Sequence, residues 1–319
     1  MTVNGHVEKA TVINVTHDSA HGLVIAVLLE YGVPRDRAEL VAESLVGADL
    51  RGVDTHGINR LSGYIDRVEQ GVLDPNAELA FTSKSRVVAS LDARNTFGFV
   101  AASMAVDKGM KIAQTYGLAA VAVRNSNHYG MAATYLLRAT RRGFAAMALT
   151  NASRSMPPWG AKEPLLGTSP FAVGVPGGDE ALKGVVLPIG CPKGSGLALM
   201  MDIFGGVMSG ANFAGGVNDQ YKNLKDPQGV GHWFPIFKPD VFLNGGKEEL
   251  RGRMDETLRK VRGCEKADGV ERIYTSGEIE AEVEQRRRKE GIPLTAGEVD
   301  ALHALADNAG VSVRLEGLP

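Results

Sequence analysis

Apolar residues recur at helical spacing near the start of the chain, where Leu23, Val24, Val27 and Leu28 share a face, and Asp18 and Ser19 are placed to cap a helix through Tyr31. Gly32 ends that helix. Pro34 suits the first turn of a second one, marked by Ala38, Leu40, Val41, Leu45 and Val46 and running toward Ala48. From about Val87 the period changes: short β-like runs, Val87 to Leu91 and Leu118 to Val123, alternate with helical ones, Ala101 to Tyr116 and Gly130 to Arg141. Further strands are predicted over Ala145 to Thr150, Phe171 to Val175 and His232 to Phe237. The first two are separated by a Ser-, Pro- and Gly-rich loop, Asn151 to Thr168, of a length that usually carries function. Leu197 to Met208 is apolar almost all round and predicts a buried helix. Lys247 to Val261 predicts a charged amphipathic helix, and Glu278 to Gly310 a helical tail broken at Gly291 to Pro293. The pattern marks a small helical unit at the start of the chain and a central sheet-bearing unit from about Val87.

Composition narrows the classes. With 319 residues, 44% of them hydrophobic, the chain has material for a large core split among two or three domains. Its 35 basic and 37 acidic residues give a net charge of −2, and the basic ones are scattered, which argues against nucleic acid or an anionic membrane as the main partner. The two cysteines, Cys191 and Cys264, have no second Cys or His at ligand spacing, so neither a disulfide framework nor a metal site is expected. No apolar run is long enough for a membrane span and the first thirty residues lack a signal pattern, so cytoplasm is the expected compartment.

Three segments carry candidate chemistry. In Arg51 to Arg60, His56 and Arg60 are four apart, which on a helix puts both on one face. An imidazole that moves a proton beside a guanidinium that grips a carboxylate suits 2-hydroxy acid chemistry. Spacing alone leaves a turn-capping histidine and a solvated arginine as the other reading. His128, in Arg124-Asn125-Ser126-Asn127-His128-Tyr129-Gly130, sits where a strand gives way to a helix and is a second proton-transfer candidate, or else packs behind a cap at Ser126 or Asn127. The third segment, Thr150 to Gly160 followed by Leu166-Gly167-Thr168-Ser169-Pro170, offers hydroxyls and backbone donors after a strand, suited to phosphate or ribose oxygens. A P-loop at Pro192-Lys193-Gly194-Ser195 is excluded, because the glycines that should precede the lysine are missing.

Taken in order, D-T-H-G, N-H-Y-G, T-N-A-S with P-P-W-G, L-G-T-S-P, and Leu187-Pro188-Ile189-Gly190-Cys191-Pro192-Lys193-Gly194 resemble the malate/L-lactate dehydrogenase family, which also holds ureidoglycolate, sulfolactate and diketogulonate enzymes and cyclic-imine reductases. The resemblance implies an α+β homodimer that binds NAD or NADP on a large, mostly antiparallel, non-Rossmann sheet, with a helical domain over 1–80 completed by 278–319, the sheet-bearing cofactor domain over 81–186 and a remainder over 187–277. That agrees with the absence of a G-x-G-x-x-G after any predicted strand. It also implies roles: His56 and His128 for proton transfer, Thr55 and Arg60 for the substrate carboxylate, and Ser153, Pro158, Thr168, Lys193, Ser276, Gly277 and Glu278 for the dinucleotide. Malate/oxaloacetate is the first substrate expected and lactate/pyruvate the second. The chain departs from the family pattern at Ser195, usually Tyr, and at Ser276, usually Pro. It departs further after Pro176, where only Gly177 to Val186 precede Leu187-Pro188 in place of several dozen residues with a motif that contacts cofactor and active site. Two readings follow: a working dehydrogenase with a trimmed cofactor domain, or a family-derived dimer that folds with impaired or no catalysis.

Overall fold

The computed structural model describes residues 11–158, 161–177 and 191–318, with only the backbone of residues 191–193. The predicted bridge after Gly177, the segment Leu187 to Gly190 and the side chain of Lys193 lie outside the described residues. Chain order is β1 (Val12–Val15), α1 (His17–Glu30), α2 (Arg35–Leu50), α3 (Leu61–Glu69), β2 (Phe81–Ser83), β3 (Val88–Asp92), α4 (Gly98–Tyr116), β4 (Leu118–Ser126), α5 (Ala133–Thr140), β5 (Ala145–Thr150), β6 (Phe171–Gly174), α6 (Cys191–Asp202), β7 (Val230–Phe237), α7 (Gly246–Arg262), α8 (Glu278–Glu290), β8 (Ile292–Thr295) and α9 (Ala296–Asn308).

The fold is α+β. Six strands run in the order β2-β3-β4-β7-β5-β6, and only β3 and β4 are parallel, because α4 crosses over between them. Leu118 to Val123 reads as a continuous apolar run because β4 is an inner strand with α4 packed on it. The contact surface is alanine-rich, with Ala89, Ala101, Ala102, Ala105, Ala119, Ala146, Ala148 and Ala172 all buried, which lets the helix approach the sheet closely. A second core joins the two ends of the chain: Leu23, Val27, Val41 and Leu45 from α1 and α2 pack with Leu302, Val311 and Leu315 from the tail. Burial of each such side chain contributes roughly 1.5–3 kcal/mol. The break predicted at Gly291 to Pro293 is a strand, β8, which pairs antiparallel with β1 and ties the tail to the start of the described chain. Thr16, rather than Asp18 or Ser19, caps α1.

One prediction is corrected. Leu197 to Met208 is not one buried helix: α6 ends at Asp202 and continues as a π-helical turn, Ile203–Val207. Leu199, Met200, Ile203, Val207 and Met208 are 41 to 54% exposed. An all-round apolar pattern tells of burial only where something covers every face, and here one face has no cover among the described residues. The edge strand β6 likewise exposes Val173. Among the described residues no helix is long and apolar enough to cross a membrane.

Candidate active site

The Asp54 to Arg60 segment is not an α-helix. It forms two 3-10 turns, Asp54–His56 and Ile58–Arg60, broken at an extended Gly57, so the helical spacing of His56 and Arg60 does not apply. Asp49 at the end of α2 sets the break, since its carboxylate accepts the Ile58 N–H at 2.8 Å. A Cβ on Gly57 would sit 1.6 Å from Asp49 Oδ1, so only glycine lets the turn close over that buried acid. Burial first, with further repulsion from Asp54, pushes the Asp49 carboxyl up to about 7 against the Ile58 hydrogen bond and Arg287, which lower it. Arg287 from α8 ion-pairs with Asp54 and also donates to the Asp49 carbonyl, fixing the segment from the other side.

His128 arrives from the sheet. β4 bulges between Val123 and Ser126, with Asn125 at φ 52° and its amide on Asp92, and the chain then turns inward. Asn127 donates to the carbonyls of Asn95 and Thr96. The 127–128 backbone lies directly on Gly98, where a Cβ would meet the Asn127 carbonyl at 2.2 Å. Neither Ser126 nor Asn127 caps α5, so the packing alternative based on a cap is not what these residues do.

The two histidines come together. Their rings stack 5.5 Å apart, His128 Nδ1 is 2.7 Å from the Tyr64 hydroxyl, and the His128 N–H donates to Gln228 at 2.8 Å. His56 Nδ1 lies 2.9 Å from Thr55 Oγ1. In each ring this leaves Nε2 for a ligand. Burial, helped by His56 and Arg60, pushes His128 down to about 3, and burial with Arg60 also lowers His56. Arg60 donates from Nε to the Thr55 carbonyl at 2.7 Å and lies over the Tyr221 ring, 5.5 Å from its centroid.

These groups border a cavity of about 220 Å³ lined by His56, His128, Ser153, Thr168, Tyr221 and Gln228, with Thr150 and Asn151 at its sheet end. Ser153 and Thr168 are thus beside the histidines; Arg60 and Thr55 do not line the cavity but contact residues that do, Tyr221 and His56. Pro158 does not line it, nor does the Ser276-Gly277-Glu278 turn. Glu278 is 2% exposed and occupied by Arg272, Arg262 and Thr275, which together outweigh burial and hold its carboxyl down to about 2. Lys193 lies in the backbone of α6.

Several residues here escape a single-sequence reading. Tyr64 and Arg67 of α3 are two: buried Arg67 donates to the carbonyls of Gln220, Asn223 and Asp226 and so holds the loop that carries Tyr221 over the cavity. Gln228 is another, and so is His232, fully buried between Ser126 Oγ at 2.9 Å and Thr150 Oγ1 at 2.8 Å and stacked on Tyr129. Tyr64 follows Arg60 by four, the one spacing that hinted at a shared face.

Comparison with known proteins decides the family. The family model for malate/L-lactate dehydrogenase matches residues 15–182 and 178–303. The chain belongs to the malate/L-lactate dehydrogenase family. L-sulfolactate dehydrogenase of Methanocaldococcus jannaschii is 30% identical over 338 residues, covering 91% of this chain and 96% of the relative. Malate dehydrogenase of Pyrococcus abyssi is 29% identical over 364 residues, covering 98% and 99%. In structure, malate dehydrogenase from Pyrococcus horikoshii superposes with a TM-score of 0.88 at 28% identity over the whole of both chains. Some members carry their dinucleotide in their names: ureidoglycolate dehydrogenase (NAD+) of Escherichia coli and (2R)-3-sulfolactate dehydrogenase (NADP+) of Chromohalobacter salexigens, each 28% identical. Against other malate/L-lactate dehydrogenases this member is short internally. The family match falls into two pieces that overlap at 178–182, and 364 aligned positions against 319 residues leave dozens with no residue here.

Proposed function

We propose that this chain is an NAD(P)-dependent oxidoreductase that interconverts a small 2-hydroxy acid and its 2-oxo acid in the His56–His128 cavity, malate and oxaloacetate being the first choice and lactate and pyruvate the second. The observation that carries this reading is the stacked pair of imidazoles, both held neutral, beside Arg60 in a cavity of about 220 Å³, a size that suits an acid of a few carbons. Arg60 grips the carboxylate, and Thr55 positions His56. A nicotinamide supplies the hydride acceptor or donor for the substrate carbon. Ser153 and Thr168 suit its polar edge, as does Ser169 Oγ, which is buried without a partner between two cavity residues. Pro158, Lys193 and the Ser276 to Glu278 turn are assigned to the rest of the dinucleotide.

One of the two histidines takes the hydroxyl proton on Nε2 during oxidation and returns it during reduction. For His128, Tyr64 then accepts from Nδ1–H, stabilising the imidazolium. Burial is the main cause that lowers both rings and Arg60 adds to it; a carboxylate bound at Arg60 offsets that added repulsion, so protonation is coupled to substrate binding. We read the working form as a cytoplasmic homodimer, on the family's pattern. The exposed apolar face of α6 and the missing aligned positions favour a second reading, a folded dimer that binds nucleotide with slow or no turnover. Calorimetric titration with NADH and NADPH beside a steady-state assay separates the two: micromolar binding with ordinary turnover supports the first, binding without turnover the second.

A further inference from the structure

A second cavity, of about 500 Å³, lies among α1, α2, α5 and α8 and shares no lining residue with the His56–His128 cavity. Its volume falls in the range of small-molecule sites. The wall is basic, with Arg51, Arg138, Arg141, Arg142 and Arg288 against the carboxylates of Glu43 and Glu284. Part of this charge is already answered: Glu284 pairs with both Arg51 and Arg288 at 2.8 Å, and Arg138 makes two hydrogen bonds to Asp107. Arg142 reaches Asp107 as well, at 3.4 Å. The Arg141 side chain makes no hydrogen bond or ion pair among the described residues. Arg51 is 5% exposed, yet only its Nη1 has a partner; Nε and Nη2 are buried with none. That unpaired edge is the one with which a guanidinium grips two oxygens of a carboxylate or phosphate. His17 and His21, stacked 5.9 Å apart, add ring nitrogens at the wall.

We propose that this cleft is a second binding site, for a small oxyanion carrying two or more negative charges, held by Arg51, Arg141 and Arg288. The site touches the active-site segment through one helix: α8 contributes Glu284 and Arg288 to the cleft and Arg287 to Asp54.

The test is calorimetric titration of the full chain with citrate and, separately, inorganic phosphate, at an ionic strength fixed by sodium chloride. The protein carries Arg60→Gln, so that carboxylate binding in the first cavity does not contribute. Saturable binding is expected, weakened by about tenfold or more when Arg141→Ala and Arg288→Ala are added. Both arginines are exposed enough for that variant to fold, which circular dichroism checks. Binding of citrate alone identifies a polycarboxylate ligand, and binding of phosphate alone a phosphate-bearing one. No saturable heat from either anion, an affinity unchanged in the double variant, or heat that vanishes with modest added chloride would overturn the proposal, the last because diffuse screening then accounts for it.

Discussion

His232 offers a quantitative check on the electrostatics beneath the active site. Burial, with His128 nearby and against an Asn127 hydrogen bond, pushes it down to about 3. A histidine whose folded value lies below its unfolded value of roughly 6.5 binds its proton more tightly when unfolded, so its contribution to stability is lost as pH falls through that unfolded value. At about pH 5 the group is roughly 1.5 units below the unfolded value, and at about 1.36 kcal/mol per unit the unfolded state gains about 2 kcal/mol. The figure depends little on the folded value, so long as that stays well below 5. Asp49 works in the opposite direction: pushed up to about 7, it favours the folded state as pH falls from 7 toward 4. Total stability mixes the two, but the difference between the wild type and His232→Gln cancels Asp49. The variant leaves Ser126 or Thr150 short of a partner and costs about 1–3 kcal/mol near pH 7.5. At about pH 5 that penalty should shrink by about 2 kcal/mol. Urea unfolding followed by the fluorescence of Trp233, the next residue on β7, measures both. An equal penalty at the two pH values would show that His232 titrates alike folded and unfolded, and the account of burial here would be wrong.

Gly57→Ala drives a Cβ into the Asp49 carboxylate and should lower stability by about 2–4 kcal/mol while displacing His56, seen as a fall in melting temperature together with lost turnover. Arg60→Lys loses the bidentate fork and the stacking on Tyr221, so kcat/KM should fall by an amount equivalent to about 2–4 kcal/mol; an unchanged value refutes the carboxylate assignment. Of His56→Ala and His128→Ala, one should reduce kcat by about 100-fold or more and the other should chiefly raise KM; full kcat in both would refute proton transfer by either ring.

Much of this fold was legible from periodicity. β5 was predicted to the residue because a short apolar run bounded by Gly143 and Asn151 is of strand length, and α1 and α2 followed their apolar stripes. The His56 segment misled because a glycine forced by Asp49, eight residues earlier, breaks the helical spacing, and no local pattern announces a contact of that kind. Leu197 to Met208 misled for the reverse reason: its composition reports how apolar each face is, and not what lies against it. Gln228, Arg67 and His232 reach the site through loop and strand pairings distant in sequence, so their roles appear only when β4, β5 and β7 are set side by side.

The measurement that bears most directly on the central claim is NADH and NADPH oxidation by this 319-residue chain with a panel of 2-oxo acids, oxaloacetate and pyruvate among them, run beside the His56→Ala and His128→Ala variants. The account predicts saturable turnover with a small 2-oxo acid that collapses in one histidine variant. Turnover indifferent to both histidines, or no turnover with any acid despite tight dinucleotide binding, would contradict it.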